Sequence, residues 1–348
     1  MHIRTQAGLV AVAVAMAAAC GLGGDLVAQG QVSAGGIETV SVRPNVFMIV
    51  GAGGNIGVQV GEDGSVIVDS GTERAAEAAL AAAVALSARP IRYIINTSAG
   101  ADHVGGNVPF ARAGRTLAAP GGLGGGLGQT GGAPIIATEN ALLRMSAPTG
   151  QPSPYPVAAW PTETFTGRRK TLYLNDEGIE VIAAPAAHSD GDAMVFFRRS
   201  DVVVAGEVFD VTRFPVIDLD RGGSIDGEIA ALNRLIELAI PSIPLPSKAG
   251  GTRIIPARGR ISEQADVVEY RDMVTIVRDR VDDLMKSGRT LAQIQAASPT
   301  QGWTRRYGTD AAPTFVEAIY KSLAATRARA DATRTQAPAR SPQNGGRR

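Results

Sequence analysis

The chain has 348 residues, of which 45% are hydrophobic, and a formal net charge of +1 at pH 7. That length and apolar content are enough to bury the core of one large domain or two smaller ones. A net charge so close to zero creates no whole-chain field of the kind that attracts nucleic acid, so we expect no nucleic-acid partner. Imidazole chemistry is restricted to the three histidines of the sequence, which are His2, His103 and His188.

Residues 1–28 have the pattern of a secretory signal peptide. A positively charged start, "MHIR", precedes a short apolar run of small residues, and the following "DLVAQG" suits cleavage after Ala28. We therefore expect an exported protein, periplasmic or extracellular, with no transmembrane span in the mature chain. Cys20 ends the apolar run and is either a lipid-attachment cysteine or an ordinary residue of the signal. The small Ala17, three positions earlier, favours the second interpretation.

Strands and helices are predicted from apolar runs and their spacing. Residues 72–88 begin at a Thr72 cap position and are rich in alanine, whereas 225–239 and 262–288 carry apolar residues at helical spacing, so all three predict helices. Short β-branched runs bounded by turn residues predict strands. Strands that alternate with helices indicate an α/β layered domain. The predicted strands are residues 45–50, 56–60, 65–69, 91–96, 171–174, 179–184, 193–197, 201–206 and 252–256.

Two segments do not fit this pattern. Residues 121–132 are rich in glycine but lack the Gly-Lys-Ser/Thr ending of a phosphate loop, which argues against nucleotide binding and favours a surface loop over a lid. Residues 326–348 carry many arginines and prolines with few apolar residues, so we expect a disordered basic tail. The predicted folded domain is therefore residues 29–325.

Polar side chains follow four of the predicted strands, at the points where these strands end. The carboxyl ends of neighbouring strands meet at one edge of a sheet, where α/β proteins usually build their sites. Convergence from four separate segments is more specific than any one short motif. The residues concerned are Asp102, His103, His188, Glu207 and Arg258.

The same segments resemble the metallo-β-lactamase superfamily over about residues 40–325. The stretch "GAGGNIGVQVGEDGSVIVDSG" (51–71) resembles the opening hairpins of the family, and "NTSAGADHVGGN" (96–107) resembles its main metal loop. The resemblance implies a four-layer αββα sandwich with two metal ions, usually zinc, between the sheets. The segments that resemble the later ligand motifs are "HSDGD" (188–192), "VVVAGEVF" (202–209) and "IIPARGRIS" (254–262).

The resemblance also implies seven ligand positions, three around each metal and one that bridges both. Family members carry histidines where this chain has Ser98, Gly100 and Arg258, and an aspartate where it has Glu207. Two metals would together generate a hydroxide for hydrolysis, so these four departures put that chemistry in doubt. The seven positions hold Ser98, Gly100, Asp102, His103, His188, Glu207 and Arg258.

The change at Arg258 bears most directly on the metals. A guanidinium stays protonated, has no lone pair to donate and repels a nearby metal ion. Beside Asp102 and Glu207 it can form an ion pair and replace a missing cation. Without a cation, these two carboxylates would repel each other. The sequence therefore predicts that a standard two-metal centre does not form.

Three interpretations remain open, and the first two are favoured over the third. In the first, Asp102, His103, His188 and Glu207 bind one divalent metal, with zinc favoured over iron or manganese. Asp102 is then the catalytic candidate of a hydrolase that acts on an unidentified small molecule. In the second, no metal binds and the site belongs to an inactive binding or scaffold module of the cell envelope. In the third, Ser98 pairs with His103 or His188 as a metal-free nucleophile.

Residues around these positions have supporting roles in the prediction. Asp69 is expected to anchor the loops around the site, and Asp192 either to cap a turn or to orient His188. Trp160 is expected to pack within a loop rather than line the entrance. Arg213 either contacts a polar substrate or shapes its own loop.

Overall fold

A computed structural model describes residues 31–32, 36–116, 131–148, 150–242, 244–245 and 248–336. The predicted signal peptide with Cys20, residues 121–130 of the glycine-rich segment and the tail from residue 337 lie outside the described residues. None of the helices in the described ranges has both the length and the apolar character needed to cross a membrane.

The described part of the chain alternates between strands and helices. The strands are β1 (Gln31–Val32), β2 (Glu38–Arg43), β3 (Val46–Val50), β4 (Ile56–Gly61), β5 (Gly64–Val68), β6 (Ile91–Ile95), β7 (Ile135–Thr138), β8 (Glu163–Phe165), β9 (Arg169–Leu174), β10 (Glu177–Ala183), β11 (Ala193–Phe197), β12 (Val202–Gly206), β13 (Pro244–Leu245), β14 (Lys248–Ala249) and β15 (Arg253–Pro256). The helices are α1 (Ala76–Ala85), α2 (Ala101–Val104), α3 (Asn107–Ala113), α4 (Glu139–Met145), α5 (Ile225–Leu238), α6 (Gln264–Lys286), α7 (Leu291–Ala296), α8 (Thr304–Tyr307) and α9 (Ala312–Gln336).

Two sheets form the centre of the molecule. The larger sheet runs in the order β1 to β8, antiparallel as far as β5 and parallel from β5 to β8. The smaller sheet has the order β15-β12-β11-β10-β9, in which β12 and β15 are parallel. Val68 and Ile95 of the larger sheet and Val195 and Val204 of the smaller sheet belong to one buried cluster, so the sheets pack face to face.

Helices cover the outer face of each sheet. Residues of α1 and α3, such as Ala79 and Phe110, pack against the larger sheet. Residues of α5, α6 and α9, such as Leu232, Val274 and Phe315, pack against the smaller sheet. Each sheet can pack against the other sheet on one face and against helices on the other, because successive side chains of a strand point to opposite faces. These four layers confirm the predicted αββα sandwich.

The predicted strands are all present, with their ends shifted by two residues or fewer. The predicted tail needs a correction, because α9 continues through residues 326–336 to Gln336. Alanine and arginine favour helix in this stretch, and Arg327 pairs with Asp282 of α6. A smaller correction applies to α6, which was predicted from residue 262 but begins at Gln264, after the cap residue Glu263 and its capping box with Asp266.

One edge of the sandwich gathers the carboxyl ends of β5, β6, β12 and β15, since the parallel pairs β5–β6 and β12–β15 end there. The two sheets are tied at this edge by Ala193 N–H, which donates to the Thr97 carbonyl at 2.8 Å. Gly206 is the last residue of β12, at φ +55°, and a Cβ there would lie 2.5 Å from Thr97 Oγ1. Glycine is therefore required where the end of β12 approaches Thr97, which follows β6 of the larger sheet.

Candidate functional site

His103 lies at the centre of the polar cluster at this edge. Its side chain is 1% exposed, with Nδ1 2.8 Å from Asp69 Oδ2 and Nε2 2.8 Å from Glu207 Oε1. Burial by itself would lower the pKa of His103, but Asp69 and Glu207 outweigh it and raise the pKa well above its ordinary value. Both ring nitrogens therefore carry protons and donate to carboxylates, and neither offers a lone pair to a metal.

Asp69 holds the loop that carries His103. It follows β5 in the left-handed region, at φ 64°, which is unusual for a residue other than glycine. Its carboxylate accepts hydrogen bonds from Thr97 N–H at 2.8 Å and Thr97 Oγ1 at 2.6 Å. These bonds and the pairing with His103 offset the backbone strain. Asp69 thus anchors the loops around the site.

Glu207 follows β12 and contacts three cationic side chains. Its Oε1 accepts from His103 and from Arg258 Nη1 at 2.9 Å, and its Oε2 accepts from Arg213 Nη2 at 2.9 Å. Burial would raise the pKa of Glu207, but His103, His188 and Arg213 lower it to about 2. Glu207 is therefore an anion at any ordinary pH.

Arg258 follows β15 and lies among three carboxylates. Its Nη2 pairs with Asp102, and its Nη1 lies 2.9 Å from Glu207 Oε1 and 3.2 Å from Asp210 Oδ2. The guanidinium thus contacts the two carboxylates between which a metal would be bound. The geometry agrees with the ion pair that the sequence predicts for Arg258.

Asp210 belongs to this cluster, although the sequence analysis did not single it out. Its side chain is 4% exposed, and Oδ2 lies 2.9 Å from Arg213 Nε. Burial raises its pKa, and hydrogen bonds from Thr212 oppose the rise. The one signal in the sequence is its position three residues after Glu207 in "GEVFDVTR". Arg213 is a full member of the cluster through Asp210 and Glu207.

His188 is not part of the compact group of donor atoms, although its charge helps to lower the pKa of Glu207. Its Nδ1 donates to the Val216 carbonyl at 2.7 Å, so the ring is held by the loop after Arg213. Asp192 does not bond to it. Asp192 instead accepts from Ser189 N–H at 2.6 Å and Ser189 Oγ at 2.8 Å, which caps the turn, and burial raises its pKa to about 6. Of the four predicted metal ligands, the structure brings together Asp102, His103 and Glu207.

Ser98 and Gly100 take no part in a nucleophile pair. Ser98 Oγ accepts from Gly100 N–H at 3.3 Å, and within the described residues it has no hydrogen bond to either histidine. The third interpretation of the sequence, with Ser98 as a nucleophile, therefore has no geometric support.

Trp160 packs in a loop cluster and donates from Nε1 to the Tyr155 carbonyl at 3.0 Å.

The donor set does not fit a two-metal centre. Asp102, His103 and Glu207 each offer one ligand atom, and these atoms lie within 4.8 Å of one another. All three side chains are already bonded within the cluster, the carboxylates by Arg258 and the imidazole by Asp69 and Glu207. A metal would have to displace the guanidinium and a proton from His103.

The sequence pattern of the family described as the Metallo-beta-lactamase superfamily matches residues 49–243, more than half of the chain.

Among solved structures, the chain is similar to a metallo-beta-lactamase from Pontibacter korlensis, at 15% identity and TM-score 0.51, over 69% of this chain and 99% of that one. It is also similar to the stereoselective inverting sec-alkylsulfatase Pisa1 from Pseudomonas sp., at 14% identity and TM-score 0.56, over 81% of this chain. The match covers 49% of the alkylsulfatase, about half its length. Identities this low show a shared fold alone. No curated protein matches the chain.

Replacing Arg258 with leucine removes the cation that Asp102 and Glu207 share. We expect the free energy of unfolding at pH 7 to fall by about 1–3 kcal/mol, less than for a fully buried pair because the Arg258 side chain is 22% exposed. Urea denaturation at pH 7 measures this. The matched control is Arg260→Leu, two residues away and mostly exposed, and an equal loss in both variants would contradict the prediction.

Glu228, in the first turn of α5, is buried close to the cluster. It is 1% exposed, and within the described residues neither carboxyl oxygen has a hydrogen-bond partner. Burial is the largest cause that raises the pKa of Glu228 well above its ordinary value, and the negative charges of Asp192 and Glu207 add to it. The folded state therefore holds a proton that the unfolded chain releases.

The pKa of Glu228 predicts a pH-dependent loss of stability. Because its pKa is raised in the folded state, its contribution to stability is greatest below the ordinary glutamate pKa and falls as pH rises above it. We expect Glu228→Met to raise the free energy of unfolding at pH 8 by about 1–3 kcal/mol and to flatten its pH dependence. Denaturation curves at pH 5 and pH 8 test this, with the exposed Glu237→Met on the same helix as control. A destabilised Glu228→Met protein at pH 8 would refute the prediction.

Proposed function

Because the chain belongs to the metallo-beta-lactamase superfamily, we propose that it keeps the fold of that family but works as a metal-free ligand-binding protein. The observation that carries this proposal is the contact of one guanidinium, that of Arg258, with both Asp102 and Glu207. These are the carboxylates that would hold a metal. A fixed organic cation neutralises them without offering a coordination site.

The cluster lacks the parts that hydrolysis by this family needs. A metal that activates water would have to bind Asp102 and Glu207, which already pair with Arg258, and the protonated His103 has no lone pair to accept a proton from water. We therefore expect no β-lactam hydrolysis. The signal-peptide pattern of residues 1–28 supports a periplasmic or extracellular location. A binding module of the cell envelope would work in such a location.

The ligand that suits this site is a small polar molecule. Asp102, Arg213 and Arg258 are 27%, 34% and 22% exposed, so they present one carboxylate and two guanidinium groups to an incoming molecule. Guanidinium groups recognise carboxylate and phosphate oxygens through paired hydrogen bonds, and Asp102 accepts from a hydroxyl or amino group. A molecule with both an anionic and a donor group would match the two kinds of partner.

A second candidate is a hydrolase with one metal. The observation in its favour is the compact group of Asp102, His103 and Glu207, an oxygen and nitrogen set that suits zinc, iron or manganese. Asp102 would then lie beside the reacting molecule. This alternative requires Arg258 to leave the carboxylates and His103 to lose a proton, which the observed ion pairs oppose.

Metal content distinguishes the two candidates. We expect the mature chain, purified without a polyhistidine tag and incubated with zinc, iron and manganese in turn, to hold no stoichiometric metal by elemental mass spectrometry. About one metal per chain, lost in both Asp102→Ala and His103→Ala, would overturn the metal-free proposal and support the hydrolase.

The control for this measurement restores the histidines of the family. The triple variant Ser98→His, Gly100→His and Arg258→His should gain zinc. A Cβ at Gly100 would lie 2.9 Å from Asp102 Oδ1, so this carboxylate must shift slightly to admit the new side chain. Absence of metal from the triple variant as well would mean that these positions do not correspond to ligand positions.

The proposed export is tested separately, by the intact mass of the protein. We expect the intact mass of the protein recovered from an envelope or culture fraction to correspond to a chain that begins at residue 29. A mass that starts at Cys20 with attached acyl chains would instead show a lipoprotein. A full-length chain confined to the cytoplasm would rule out export.

A further inference from the structure

A groove lies on the outer side of the smaller sheet, away from the ion cluster. It runs between the β9–β10 edge of that sheet and helix α5, and its volume is about 640 Å³. This volume is within the range of pockets that hold small molecules. Nothing in the proposed function above uses this groove.

The small residues of α5 leave the groove open. Gly227 is followed by Ala230 and Ala231 three and four residues later and by Arg234 seven residues later, so all four lie on one face of the helix, which lines the groove. A Cβ at Gly227 would lie 1.9 Å from the Ala186 carbonyl oxygen, so this glycine allows α5 to approach the chain after β10. The helix wall is therefore apolar and shallow until Arg234.

The floor of the groove is apolar as well. Ile182 and Ala184 at the end of β10 and Met194 of β11 close it, and Ile182 pairs with Met194 in the sheet. Pro185 lies at the accessible edge. Ile182, Ala184 and Met194 are at most 6% exposed, so the accessible apolar surface of the groove is supplied by Ala183, Pro185 and Ala230 above them. This surface favours a hydrocarbon chain over a polar molecule.

Positive charge rims the groove on both sides. Arg168 and Arg169 stand at the start of the edge strand, and Arg234 stands opposite them on α5. Arg169 pairs with Glu180 at 3.2 Å and Arg234 pairs with Glu237 at 3.0 Å. Arg168 has no carboxylate within ion-pair distance among the described residues, which leaves one guanidinium without a counterion beside an apolar floor.

We propose that this groove binds a free single-chain anionic amphiphile, a molecule with one hydrocarbon chain and an anionic head. The hydrocarbon chain would lie against Ala183, Pro185 and Ala230, which form the accessible apolar surface of the groove. The anionic head would pair with Arg168, with Arg234 facing it across the groove. Charge complementarity sets the class of ligand, because an apolar molecule alone would leave Arg168 without a counterion.

Calorimetric titration of the mature chain with decanoate, below its micelle concentration, tests this proposal. We expect saturable binding of one decanoate per chain, and at least about tenfold weaker binding of decan-1-ol, because the alcohol lacks the charge that pairs with an arginine. Arg168→Gln should weaken decanoate binding by about tenfold for the same reason. Ala230→Trp should abolish it by filling the groove from an exposed position of α5.

A control variant tests whether binding is specific to this groove. Arg89→Gln removes an exposed arginine near β5 and should leave decanoate binding unchanged. The groove shares no lining residue with the ion cluster, so failure of the groove proposal and failure of the proposed function can be told apart. Equal binding by Arg168→Gln and the unmodified chain, or equal binding of decanoate and decan-1-ol, would overturn the proposal. Binding to phosphatidylglycerol vesicles without binding to free decanoate would overturn it too, in favour of a membrane surface.

Discussion

The buried ion chain Asp69–His103–Glu207 connects the two sheets of the sandwich. Asp69 follows a strand of the larger sheet, Glu207 follows a strand of the smaller one, and the imidazolium of His103 lies between their carboxylates. Buried charges are costly unless each is paired and hydrogen-bonded. The position of each of the three side chains therefore depends on the other two, and the loops that carry them are held in the same way.

The remaining charges of the cluster follow from this constraint. Glu207 remains ionised because His103 protonates and Arg213 and Arg258 bind its two oxygens. Asp210, buried beside it, shares both arginines. The family to which the chain belongs usually balances such carboxylates with metal ions. Here Arg213 and Arg258 place guanidinium groups against them, and in the metal-free protein that we propose these groups supply the positive charge that a metal would otherwise bring.

The sequence predicted the parts of this site that depend on the ends of strands. Residues that follow parallel strands must gather at one edge, so Asp102, His103, Glu207 and Arg258 could be placed together, and Arg258 could be paired with the two carboxylates. His188 also follows a strand, but its ring direction depends on the fold of a loop 28 residues away, where the Val216 carbonyl accepts its proton. Asp210 lies in an irregular segment with no periodic pattern, so its burial could not be read from its neighbours.

The same distinction holds for the fold. Long apolar strands and amphipathic helices were predictable because their periodicity is local. Strands β2, β7 and β8 were missed, since they gain their stability from neighbours in the sheet rather than from their own composition. Helix α9 was missed for a related reason. Its last turns are polar, and contacts with α6 such as that of Arg327 with Asp282 support them.

Placing the site's cation on a side chain changes how the centre comes into being. A metal-dependent site is completed only when an ion is captured, and its occupancy then follows the supply of that ion in the surroundings. Arg258 is built in during translation, so every folded copy carries the same charge at the same place, at unit stoichiometry and beyond the reach of chelators. In the metal-free protein that we propose, a permanent component therefore takes the place of an adjustable, removable one.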